Sequence, residues 1–144
     1  MKTFWKFAPW LSRLILVPPT IIFALIASRY IMHPAQTAAT VGISLNTALA
    51  VTIIRIGFGA FPLGCSVFTL SCLISANRLL TGLSFVSTMV GVALVVRIIG
   101  IVVDGTLRES LGLVGAETVL LVLCITGFFI ESRRLRHKLI PVLD

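Results

Sequence analysis

Four long apolar stretches constrain this chain more than any other feature of its sequence. They cover about 10–30, 49–74, 83–103 and 111–130. A hydrocarbon core about 30 Å thick needs about 20 apolar residues in a helix to cross it. Inside that core there is no water to satisfy backbone N–H and C=O groups, so each stretch must form its own hydrogen bonds as a helix. The alternating pattern of a β-barrel strand is absent. Composition agrees: 58% of residues are hydrophobic and 12% are charged. An average soluble domain has about 25% charged residues. Mean hydropathy is +1.10. These values exclude a water-soluble enzyme, a disordered chain and a disulfide scaffold. The first stretch is long for a cleaved leader, and its nearest approach to a cleavage site, around Phe23–Ser28, is weak. It is read as a membrane helix.

The connections are short. Residues 75–82 and 104–110 leave room only for turns, and 32–48 is long enough for a short surface helix. Short links make consecutive helices antiparallel. The expected fold is therefore all-α, a membrane-spanning antiparallel four-helix bundle forming one transmembrane domain over 1–144. A basic tail occupies 131–144, with Leu139, Ile140 and Val142 suited to lying on the inner leaflet.

Charge sets the orientation. With the N-terminus inside, Lys2, Lys6, Arg13, Arg78, Arg133, Arg134, Arg136 and Lys138 share one side, and Arg29 and Arg108 the other. Cytoplasmic loops carry the excess of Lys and Arg, so both termini are expected in the cytoplasm of a bacterial inner membrane. Trp5, Trp10 and Tyr30 sit where interfacial aromatics belong. The net charge of +7 reads as topology and contact with anionic membrane lipid rather than nucleic acid, because no basic domain stands outside the spans.

Charges inside the spans carry the most information. Arg55, Arg97 and Glu117 each lie about seven residues from the expected outer end of a helix, about 10 Å deep. Asp104 comes seven residues after Arg97 on the same face, and Arg29 and His33 end the first span. The inner half is expected to hold only hydroxyls and thiols. In the second span Ala48, Thr52, Arg55, Gly59, Pro62, Ser66 and Thr69 form a small or polar stripe, which should turn Arg55 into the bundle. Ala93, Arg97, Gly100 and Asp104 repeat the spacing in the third. Ser110, Glu117, Cys124 and Glu131 recur every seven residues in the fourth. Gly57, Gly59, Pro62 and Gly100 are the expected helix-packing positions. Pro18, Pro19 and Pro62 free carbonyls four residues back, and Gly57 and Gly59 loosen the turn before Pro62.

Other chemistry is thin. His33 and His137 stand alone, so no metal set forms. Gly57-x-Gly59 is too short for a dinucleotide fingerprint. Cys65 and Cys72, two turns apart on one helix, are too far apart for a disulfide. No catalytic residues and no cofactor are expected.

The run Arg55-Ile56-Gly57-Phe58-Gly59-Ala60-Phe61, the run Arg97-Ile98-Ile99-Gly100-Ile101-Val102-Val103-Asp104-Gly105, and Glu117 in the last span resemble a family of small bacterial four-helix integral membrane proteins catalogued as a domain of unknown function. Ala60 stands where that family's pattern has a second glycine. The resemblance covers about 10–130 and implies the fold and the charged positions, with no reaction attached.

Arg55, Arg97, Asp104 and Glu117 thus form a candidate ligand-binding or structural charge cluster. Glu117 would neutralise one or both arginines, and the net positive remainder would suit an anionic lipid, a small acid or a partner membrane protein. The expected function is a binding or accessory subunit. The alternative is a small dimeric transporter or exporter, with a homodimer as its working unit.

Overall fold

The computed structural model describes residues 2–139, with side chains for 7–137. Lys2, Trp5, Lys6, Lys138 and the apolar end of the tail at Leu139, Ile140 and Val142 therefore lie outside the described side chains. Among the described residues all regular structure is helical. The order is α1 (Lys2–Met32), α2 (Pro34–Ala39), α3 (Ala48–Ile54), a π-helical segment (Arg55–Ala60), α4 (Phe61–Ile74), α5 (Leu79–Asp104) and α6 (Leu107–Leu139). Four membrane-length spans result: Phe7–Met32, Ala48–Ile74, Leu79–Asp104 and Leu107–His137. At 1.5 Å per residue each exceeds the hydrocarbon thickness. The all-α membrane fold expected from the sequence is the fold observed, and α2 occupies the 32–48 connection.

The helices outrun the apolar stretches. Apolarity marks the part in contact with lipid, whereas a helix continues through its polar flanks until something caps it. Thus α6 runs without a break from Leu107 to Leu139, through the first part of the basic segment. Between α5 and α6 the stop is Gly105, at φ +70°, whose N–H bonds to the carbonyl of Ile101. A left-handed residue is required there, and glycine takes that conformation without steric cost.

The chain divides into two compact units. The first comprises Met1–Leu16 and Cys72–Asp144. Its core is a seam of residues at helical spacing: Ala8, Ser12 and Leu16 on α1, Leu79, Gly82, Leu83, Val86 and Val90 on α5, and Cys124, Gly127, Glu131 and Arg134 on α6. Small residues set the approach of the helices. A Cβ on Gly82 would stand 2.7 Å from Leu16 Cδ2 and 2.8 Å from Cys72 Cβ, and one on Gly127 would stand 3.1 Å from both Ile15 Cδ1 and Leu83 Cδ2. Along α5 and α6 the neighbours step in opposite directions: Leu83 beside Gly127, Gly91 beside Leu121, Arg97 beside Glu117. The two helices are therefore antiparallel. All buried residues of α5 lie between Leu79 and Val90. Its other half is open, as suits a surface meeting lipid.

The second unit is Val17–Ser71. Here the Ser66 hydroxyl donates to the Thr20 carbonyl at 3.0 Å, and Thr69 donates to the carbonyls of Cys65 and Ser66. In a span these side-chain donors take backbone acceptors because no water competes for them. Gly59 lies against α1, where a Cβ would stand 2.8 Å from Ile31 Cγ1. Tyr30 and Phe58 meet at 5.3 Å between ring centroids.

The π-helical segment corrects the expected stripe of the second span. Pro62 has no N–H to give to the carbonyl of residue 58. The chain answers with i→i+5 bonding, in which the N–H of Phe61 reaches the carbonyl of Ile56. A π-turn holds one extra residue, which rotates the helix on its N-terminal side by about 100° relative to the helix on its C-terminal side. The covered face therefore runs Gly59, Cys65, Ser66, Thr69 toward the C-terminal end, but Ala50, Val51, Ile54 before the segment. Ala48, Thr52 and Arg55 are rotated off that face and exposed. The prolines and glycines signalled the distortion; the constant α-helical period assumed for the stripe did not hold.

Candidate functional site

Arg97 continues the packed face of α5 beyond Val86 and Val90, and Glu117 belongs to the seven-residue repeat of α6. The antiparallel register brings them together. Arg97 Nε donates to Glu117 Oε2 at 2.9 Å, and Nη2 donates to Oε1 at 2.6 Å. Two parallel bonds of this kind give a planar fork, the strongest geometry open to arginine and a carboxylate. The side chains remain 29% and 21% exposed, so the pair lines an open surface rather than a sealed core. Glu117 is fully engaged by one arginine.

Arg55 stands at the first turn of the π-helical segment, about 10 Å along its span. Contrary to the expectation that it points into a packed bundle, it is exposed. Its Nε donates to the carbonyl of Ile31 at 3.1 Å. Arginine has five N–H donors, so four are left over. The unit that holds it, Val17–Ser71, contains Arg29 and Arg55 but no Asp or Glu. Arg55 forms no ion pair among the described residues. Asp104 ends α5, exposed and outside any ion pair among the described residues. A carboxylate at a helix C-terminus meets the negative end of the dipole, so it is not placed there for helix stability. Of the packing glycines, Gly59 lies tight against Ile31, Gly100 has Asp104 Oδ2 within 3.6 Å of its would-be Cβ, and Gly57 faces open space. Pro62 is half-buried.

A second polar centre, missed from sequence, lies at the opposite end of the first unit. Glu131 is wholly buried and Arg134 is 4% exposed. Glu131 accepts from Arg134 one turn later and from the Ser12 hydroxyl, the latter at 3.3 Å. Arg134 Nη2 also donates to the carbonyl of Ala76 at 2.8 Å. This end of the first unit thus holds a buried ion pair beside the hydroxyls and thiols of the spans. The signal was present: Glu131 is the last member of the Ser110–Glu117–Cys124 repeat, and Arg134 stands three residues on. It was lost because Arg134 sits in a basic run that reads as solvated. Nearby, Arg13 lies 5.7 Å from the Trp10 ring centroid, with a buried Nε that has no hydrogen-bond partner. Among the described residues no three His, Cys, Asp or Glu side chains are grouped to hold a metal ion.

Four apolar spans, an ion pair part-way along two of them and a loose arginine in a third define an integral membrane protein of helical class. The chain belongs to the DUF4345 family, described as a domain of unknown function, which it matches over residues 11–128. No curated protein and no solved structure matches it.

Proposed function

We infer that the chain is a binding or accessory subunit of the bacterial inner membrane that holds an anionic group, a lipid headgroup or a small carboxylic acid, in the outer half of its spans. One observation carries this reading: Arg55, inside a span, uses one donor on the Ile31 carbonyl and sits in a unit without a carboxylate. Charged residues are costly at such depth and are rarely left without a partner. Arg97 is matched by Glu117 and contributes no net charge. Arg55 therefore supplies the excess, and its remaining N–H groups suit a carboxylate or phosphate. Both termini are taken as cytoplasmic, from the eight-to-two distribution of Lys and Arg.

The test is native mass spectrometry of protein extracted gently from its own membrane, beside Arg55→Ala and Arg97→Ala. The expected result is an acidic adduct on wild type, lost in Arg55→Ala at a nearly unchanged melting temperature. Equal retention of the adduct by Arg55→Ala overturns the assignment. Capture of a second protein with no small adduct favours the accessory role over the binding one.

A further inference from the structure

We propose that Arg13, Arg78, Arg133 and Arg136 form a site for the headgroup of an anionic phospholipid, built by the buried Glu131–Arg134 network. This site is at the opposite end of the first unit from the Arg97–Glu117 pair and is independent of Arg55.

The network joins three separate segments. Ser12 ties α1 to Glu131, and the Ala76 carbonyl ties the turn before α5 to Arg134. Each of the four arginines lies within two residues of a tied group: Arg13 is next to Ser12, Arg78 is two residues past Ala76, and Arg133 and Arg136 flank Arg134. The ties thus bring four cations from three segments to one end. Arg78, Arg133 and Arg136 are exposed, and Arg13 is half-buried with its Nε lacking a partner. Glu131 is the only carboxylate among the described residues at this end, and it is buried and engaged by Arg134. Among those residues the positive charge of the four is therefore uncompensated.

The surroundings select the occupant. Phe7, Trp10, Leu14, Ile74 and Phe129 are exposed in the same unit, Ile74 at 77%. Four arginines at one end, with exposed apolar and aromatic side chains on the same helices, match a molecule that is anionic at one end and apolar along its length. Arginine forks bind phosphate oxygens in pairs, and basic pockets between membrane helices hold anionic headgroups. A soluble acidic protein or a free phosphate would leave the apolar part of this surface unused.

The test uses the whole protein, delipidated in neutral detergent, then given phosphatidylglycerol, phosphatidylcholine or inorganic phosphate. Bound lipid is counted by native mass spectrometry, and melting temperature is read in parallel. The triple variant Arg78→Gln/Arg133→Gln/Arg136→Gln is compared with wild type and with Arg108→Gln, which removes an arginine at the other end. An arginine near an anionic surface is worth about fivefold in affinity, so losing three weakens phosphatidylglycerol binding by roughly a hundredfold. Expected are a phosphatidylglycerol adduct with a raised melting temperature in wild type and Arg108→Gln, and loss of both in the triple variant. Equal binding of phosphatidylcholine, equal stabilisation by inorganic phosphate, or an undiminished adduct in a folded triple variant each overturns the proposal.

Discussion

Two carboxylates in α6, Glu117 and Glu131, each accept from an arginine, yet they should respond differently to the same substitution. Glu131 is fully enclosed, and Gln in its place leaves Arg134 buried with its charge unanswered. Removing one member of a buried pair costs about 3–5 kcal/mol. The Arg97–Glu117 pair is partly open, so screening and rearrangement reduce its loss to about 1–2 kcal/mol. Thermal unfolding in detergent should therefore rank Glu131→Gln well below Glu117→Gln, with wild type highest; the reverse order would contradict the difference in burial. Arg97 and Glu117 are legible in the sequence because both stand alone in apolar spans, where any charge is conspicuous. Arg134 is not, because it has arginine neighbours at 133 and 136. Burial is decided by the helix face, and within a basic run the face is visible only once the partners, here Glu131 and the Ala76 carbonyl, are known.

Among the helices, periodicity predicted the packed faces where the backbone keeps the α-helical period. The repeat Ser110, Glu117, Cys124, Glu131 is covered or half-covered throughout. It failed in the second span, where one extra residue per turn at Arg55–Ala60 separates two faces that the sequence joins. Composition also cannot say which glycines are contacts. Gly82→Ala should lower stability by about 1–3 kcal/mol, since its methyl would fall on Leu16 and Cys72 and something must shift. Gly112→Ala meets open space within α6 and should be neutral or stabilising by up to about 1 kcal/mol through helix propensity. Melting temperatures of the two variants measure the contrast. Similar shifts would mean that the close approach of α1, α4 and α5 at Gly82 is not a real constraint.

At the scale of the whole molecule the membrane fold was legible because the bilayer sets two simple requirements, length and an internally bonded backbone, and both are written in runs of apolar residues. Orientation comes from a separate rule, and its test is separate. Reporter fusions should show periplasmic activity at residue 40 and cytoplasmic activity at the C-terminus; periplasmic activity at the C-terminus would invert the assignment.

The two-residue link at Gly105–Thr106 has a consequence for how the protein is made. Synthesis delivers α5 before α6, so Arg97 leaves the ribosome 20 residues ahead of Glu117. An arginine without a partner costs about 2.5–3.5 kcal/mol at the bilayer centre, and that figure is an upper bound at the shallower depth of Arg97. With so short a link, the two helices can leave the translocation machinery as a pair, their opposite charges already cancelled. A chain in which a long polar linker replaces everything after Gly105 should integrate α5 less efficiently than one that keeps α6, and restoring Glu117 as the only change in an α6 carrying Glu117→Gln should recover most of the difference. Glycosylation-site mapping of these chains would measure it. The ion pair would then act first as a permit for entry into the membrane, and only afterwards as part of the finished protein.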